Sequence, residues 1–208
     1  MKYLLLFTGL CALSGCAQTI FTGAGFLGGA AREERSLGDN IDDQAINAEI
    51  HHFMVKSDVN QLLSDINVRV HEGRVLLTGR TKSADVALEA VRLSWLAGGV
   101  REVINEIQVG EEGTNILNYA QDNFIETQIE ARLIGTKTVK AVNFTVEVID
   151  GTAYLLGVAS SDQERRDAAA VASVTRGVKR VISYVRLRNN PDRLQKVGKL
   201  REQGINRN

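Results

Sequence analysis

Cysteine is nearly absent from this chain: its 208 residues contain two, Cys11 and Cys16. Cys11 falls inside an apolar run from Tyr3 to Leu13 that follows the positive Lys2, the pattern of a secretory signal, so residues 1–15 are expected to be removed and Cys11 with them. One remaining cysteine excludes a disulfide framework and a cysteine metal site, and the fold must stand on its apolar core. The apolar run itself is too short to span a bilayer. Histidine occurs only three times and tryptophan once. His51 and His52 are adjacent, so on a helix they point about 100° apart and cannot chelate as an i, i+4 pair would. His71 falls at a predicted strand end with no nucleophile or carboxylate fixed beside it. Trp95, near the end of a predicted helix, is expected to be core. Ser160 and Ser161 stand where a helix needs a cap. No catalytic set is predicted, and neither a cofactor, a metal, a small-molecule substrate nor nucleic acid is expected.

Net charge is also lacking, with 25 basic against 25 acidic residues, but the balance is uneven. Residues 42–109 carry ten acidic and seven basic side chains, residues 120–187 eight and nine, and residues 188–208 two and six. The positive end is the C-terminal one, which favours an anionic surface there.

What is present begins with Leu13-Ser14-Gly15-Cys16. Small residues before a cysteine, in register behind a short apolar core, are similar to the lipobox at which bacterial lipoproteins are cleaved and acylated, so Cys16 is the expected lipidation site. Residues 16–41 have no periodic pattern and read as a lipidated tether. A flexible chain of about 25 residues spans typically about 25–30 Å, enough to let a following domain reach back to the membrane. Gly23, Gly25 and Gly28 spell the dinucleotide fingerprint, but no strand precedes them and the motif is discounted.

The strongest internal signal is a repeat. Asp43, Ile46, Ile50 and Met54 correspond to Asp122, Ile125, Ile129 and Leu133 at a constant offset of 79; one deletion later, Gly73, Gly79, Gly99, Val100, Val103 and Ile104 match Gly151, Gly157, Gly177, Val178, Val181 and Ile182. Matching glycines mean matching turns. Each copy reads as helix, strand, strand, helix, strand. In the first, Asp43 is the expected N-cap of a helix whose stripe is Ile46, Ile50, Phe53 and Met54. Ile66, Val68 and Val70 alternate as in a half-buried strand, a turn at Glu72-Gly73 leads into Val75 to Thr78, and a helix over about 83–97 precedes a strand over 100–109. The second copy repeats this with Val142 to Val148, Asp150-Gly151, Ala153 to Gly157 and a capping box at Ser161-x-x-Glu164. The economical packing is α+β, a three-stranded sheet covered on one face by two helices in each of two domains, 42–110 and 120–188, followed by a basic tail over 189–208.

This order, with a glycine at the hairpin, one closing the second strand and a Gly-Val pair at the last, resembles the BON family. Two such copies behind a lipobox resemble in particular its dual-domain outer-membrane lipoproteins. That resemblance implies an envelope protein, anchored at the outer membrane and facing the periplasm, that binds anionic phospholipid through the first helix of the second domain and supports membrane integrity. Helical geometry makes the same helix distinctive. Ile125, Ile129 and Leu133 form its core stripe, and Phe124, Thr127, Ala131 and Ile134 form an apolar outer stripe flanked by Arg132, Lys137 and Lys140. The resemblance places Phe124 and Ile134 at the positions of an aromatic and an aliphatic lipid contact. The matched stripe in the first copy, Ala45, Ala48, His52 and Val55, lacks the aromatic. The alternative is an interaction module, with the stripe and a sheet edge binding another envelope protein.

Overall fold

A computed structural model describes residues 37–57, 59, 62–110 and 116–191. The expected signal, Cys16, the tether up to residue 36 and the tail beyond residue 191 lie outside the described residues. The first domain contains α1 (Leu37–Lys56), α2 (Leu62–Asp65), β1 (Ile66–His71), β2 (Arg74–Thr81), α3 (Ala84–Leu96), β3 (Glu102–Asn105) and β4 (Gln108–Val109). The second contains α4 (Ile116–Gly135), a 3-10 turn (Ala141–Asn143), β5 (Phe144–Ile149), β6 (Thr152–Ala159), α5 (Asp162–Ser173) and β7 (Arg180–Leu187).

In each domain the first two strands form an antiparallel hairpin, and the last strand returns parallel to the middle one. A parallel neighbour needs a crossover, which α3 and α5 supply. Ser83 caps α3 by accepting from the Asp85 N–H at 3.2 Å. Ser161 caps α5 by accepting from the Glu164 N–H at 3.1 Å. The buried Glu164 carboxylate does not close the box on its own cap residue: it accepts from the N–H groups of Ser160 and Lys140, each at 2.8 Å, and so ties the segment entering β5 to the crossover helix.

Asp43 is not an N-cap. Helix α1 begins earlier, at Leu37, and the Asp43 carboxylate accepts from the turn N–H groups of Glu72 and Gly73, each at 2.8 Å. Asp122 does the same for Asp150 and Gly151, at 2.6 and 2.9 Å. In both hairpins the two turn residues have positive φ, 53° and 70° at Glu72-Gly73 and 51° and 76° at Asp150-Gly151, a conformation that suits the twist of a two-residue hairpin. The repeated aspartate therefore fastens a strained turn to the first helix.

Gly79 and Gly157 do not close the middle strands, which run two residues further, but sit opposite Ile66 and Phe144 at the start of the hairpin partners. Gly79 has φ +125°, and a Cβ there would strike the Asp65 carbonyl oxygen; at Gly157 it would strike that of Asn143. The last strand of the first domain, expected to run unbroken over 100–109, is interrupted: the Glu106 N–H donates to Leu77 O at 2.8 Å, the Asn105 side chain accepts from the Ile107 N–H, and pairing resumes as β4.

Helices cover one face of each sheet. Ile46, Ile50 and Met54 of α1 and Ala90 and Leu93 of α3 bury against Val68, Val75 and Leu77. Ile125, Ile129 and Leu133 bury against Val146, Val148 and Leu155 with Ala168 and Ala172. The other faces meet each other: Leu76 and Ile104 pack on Tyr154 and Leu156, with Ile182 and Tyr184 beside them. The molecule is thus four layers, helix, sheet, sheet, helix. The middle strands are covered on both sides, and a fully buried leucine or tyrosine there contributes about 1.5–3 kcal/mol. Charges rim this contact: Arg80 pairs with Asp150 at 2.5 Å, Arg186 with Glu102 at 2.9 Å, and the Arg74 guanidinium donates to Tyr184 O at 2.8 Å. Tyr184 donates to Glu106, and burial together with that bond pushes its phenol up to about 12.

Candidate membrane-binding helix

Helix α4 is held by one face and bare on the other. Ile125, Ile129 and Leu133 are buried at four-residue spacing, which fixes the helix rotation. Phe124 and Ile134 then project outward and are 66% and 75% exposed. Thr127 and Ala131 lie between them and are exposed as well. The Thr127 hydroxyl donates back to Asn123 O at 2.9 Å, so the stripe's one polar group is bonded within the helix and its methyl is left to the surface. Phe124 does not cover the first domain. Arg132 on the last turn, and Lys137 and Lys140 beyond it, are exposed. The sequence stripe is therefore one continuous surface with cations gathered at its C-terminal end, where a helix dipole also favours them.

The inner flank is acidic. Burial raises the Asp122 carboxyl above its ordinary range although Gly151 and Asp150 N–H groups bind it. Glu126 faces Arg69 of β1 at 3.5 Å, and Arg69 also reaches Glu147 of β5 at 2.6 Å. Burial, then the Glu147 charge, push Glu126 up to about 7. Sequence reading missed this trio. Its only signal was the alternation of β1, which turns Asn67, Arg69 and His71 away from the face that carries Val68.

Other expected residues separate. His51 is half-buried and His52 exposed, the latter next to the Phe53 ring at 6.1 Å. His71 is fully buried. Among the described residues no group of three His, Cys, Asp or Glu side chains is placed to hold a metal, and no helix is long and apolar enough to cross a membrane. Trp95 is not core: it is 39% exposed, because the buried face of α3 is set by Val86, Ala90 and Leu93, and Trp95 lies about 200° from Leu93 around the helix.

Two copies of one α-β-β-α-β unit, joined sheet to sheet and leaving one amphipathic helix apolar on its outer side, define a duplicated small-domain protein with a surface site. The chain belongs to the BON domain family, whose model matches residues 42–111 and 121–189. Among named relatives, it is 39% identical over 72% of its length, and 97% of theirs, to "Uncharacterized protein in gshII 5'region" of Anaplasma centrale. It is 29% identical to "Outer membrane lipoprotein DolP" of Haemophilus influenzae over 82% of this chain and 87% of that one. It is 32% identical to "21 kDa hemolysin" of Actinobacillus pleuropneumoniae over 74% of this chain and 78% of that one.

Proposed function

We propose that this protein is an outer-membrane lipoprotein, anchored by acylated Cys16 with its domains in the periplasm, that binds anionic phospholipid through α4 and supports the integrity of the membrane. Phe124, Thr127, Ala131 and Ile134 enter the interface, and Arg132, Lys137 and Lys140 meet the headgroups. The exposure of Phe124 on a well-packed helix carries this reading. Inserting that ring is worth about 2 kcal/mol and each cation near the surface about 1 kcal/mol. The first copy lacks this combination: Phe124 and Lys137 correspond to Ala45 and Asp58. The DolP relative, named as an outer-membrane lipoprotein, supports the anchor and the location. The reading is non-enzymatic and needs no cofactor.

A second reading, a membrane-anchored interaction module, draws on α3. Leu88 is 68% exposed there and shares the outward side with Trp95, whereas the matched positions of α5 are Arg166 and Ser173. Sedimentation of the chain from Ala17 onward with vesicles separates the two. The lipid reading expects pelleting with phosphatidylglycerol-containing vesicles and little with neutral ones. Equal failure on both leaves the interaction module.

A further inference from the structure

Two carboxylates share one guanidinium where helix α4 touches the first domain. Arg69 Nε forms an ion pair with Glu147 Oε2 at 2.6 Å, and Arg69 Nη2 donates to Glu126 at 3.5 Å. Asn67 Nδ2 donates to Glu147 Oε1 at 2.8 Å. Both donors belong to the first domain and both acceptors to the second, so the cluster spans the domain boundary. Its charges do not balance, and the two acceptors are held unequally. Glu147 is nearly fully buried, hydrogen-bonded by Asn67 and paired with Arg69 at 2.6 Å; Glu126 has the longer contact. Glu126 is therefore the group that gives up its charge first. Burial, Glu147 from β5 and Glu130 from its own helix all favour its neutral form, while Arg69 from β1 and the Val148 backbone oppose them, and the outcome is a carboxyl at about 7.

We propose that the Arg69–Glu126 contact is a proton-sensitive clasp: protonation of Glu126 leaves Arg69 to Glu147 alone, releases this hold of the first domain on α4 and removes a negative charge from its flank, strengthening the grip of α4 on anionic phospholipid. The inference rests on the lipid reading of that helix. Arg69 touches no lipid and acts as a positioning residue. An anionic surface concentrates protons, so binding and protonation of Glu126 favour each other. Affinity is then greatest below about pH 7 and falls as pH rises through the carboxyl's titration. Glu126 lies on the side of α4 opposite Phe124, about one helix diameter or ~10 Å from the surface. One unit charge at the surface is worth about fivefold in affinity, and screening over that distance, about one Debye length, leaves about twofold.

The test measures binding of the chain from Ala17 onward to phosphatidylglycerol-containing vesicles at pH 6 and pH 8, for the parent, Glu126→Gln and Arg69→Gln, together with the carboxyl carbon shift of Glu126 by NMR. The parent is expected to bind about twofold more tightly at pH 6 than at pH 8. Glu126→Gln is expected to bind at both values as the parent does at pH 6, and Arg69→Gln to move the Glu126 midpoint to higher pH. A parent indifferent to pH overturns the clasp. So does a Glu126→Gln variant that keeps the parent's pH dependence. Should the parent bind at neither pH, the lipid reading fails. The NMR titration then decides the clasp alone: a midpoint near 7 that rises in Arg69→Gln sustains it, and a midpoint in the ordinary carboxylate range removes it.

Discussion

At the scale of single residues, the repeat exposes which positions the fold requires. Asp43 and Asp122, Gly79 and Gly157, and Ser83 and Ser161 each do the same work twice, fastening the hairpin, admitting a carbonyl and capping the crossover helix. The glycines permit a sharp prediction. Gly79→Val forces both an unfavourable backbone conformation and a clash with Asp65, and Gly157→Val a clash with Asn143, so each should cost at least about 2 kcal/mol. Urea melts measure this, and a variant as stable as the parent contradicts the close approach. These glycines were legible in the sequence because they recur at a fixed offset. The aspartates were legible as paired positions but not in their role, since an aspartate near a helix start looks like a cap until the helix is seen to begin at Leu37. Trp95 was misplaced for a related reason: rarity and size suggest core, but the register set by Ala90 and Leu93 decides, and it turns the indole outward.

At the scale of elements, the chain order of helices and strands followed from periodicity and turn residues, and the structure agrees with the α-β-β-α-β order in both copies. The sheet-to-sheet contact was not inferred, yet its signal was present. Val75-Leu76-Leu77 and Ala153-Tyr154-Leu155-Leu156 are unbroken apolar runs, and a strand covered on one face alternates instead. Leu77 and Leu155 serve the helical layers, and Leu76, Tyr154 and Leu156 serve the contact between domains. Tyr154→Ala should accordingly cost about 3 kcal/mol or more. Because it loosens the contact, the parent's single unfolding transition is expected to separate into two in a urea melt. A single transition at unchanged midpoint would contradict the part given to Tyr154 in the contact between the domains. The break in the first domain's last strand had no sequence signal that alternation reveals, since it depends on which backbone groups β2 leaves open at Leu77.

At the scale of the whole molecule, the four-layer arrangement sets the helical layers on opposite sides, so α4 and α3 present their apolar stripes to different surroundings. On the proposed lipid reading, this lets one protein lie on a membrane with its second domain while the first is free to meet something else. The anchor follows its own arithmetic. A single acyl chain holds a protein only marginally, whereas lipoprotein modification supplies at least two and makes attachment stable. Cys16→Ser is expected to leave the membrane fraction or to remain unprocessed, checked by fractionation after a high-salt wash; retention of the processed variant with membranes would show that another feature anchors it. The central claim, that α4 is the lipid-binding element, is tested most directly by two charge insertions at matched positions. Phe124→Glu places a carboxylate in the outer stripe without touching Ile125, Ile129 or Leu133, and Ala45→Glu places one at the equivalent exposed point of α1. In vesicle sedimentation at fixed salt, Phe124→Glu is expected to lose binding to phosphatidylglycerol-containing vesicles while keeping its fold, and Ala45→Glu to bind as the parent does. A folded Phe124→Glu variant that binds like the parent would contradict the account and shift attention to the bases Arg193, Lys196, Lys199 and Arg201.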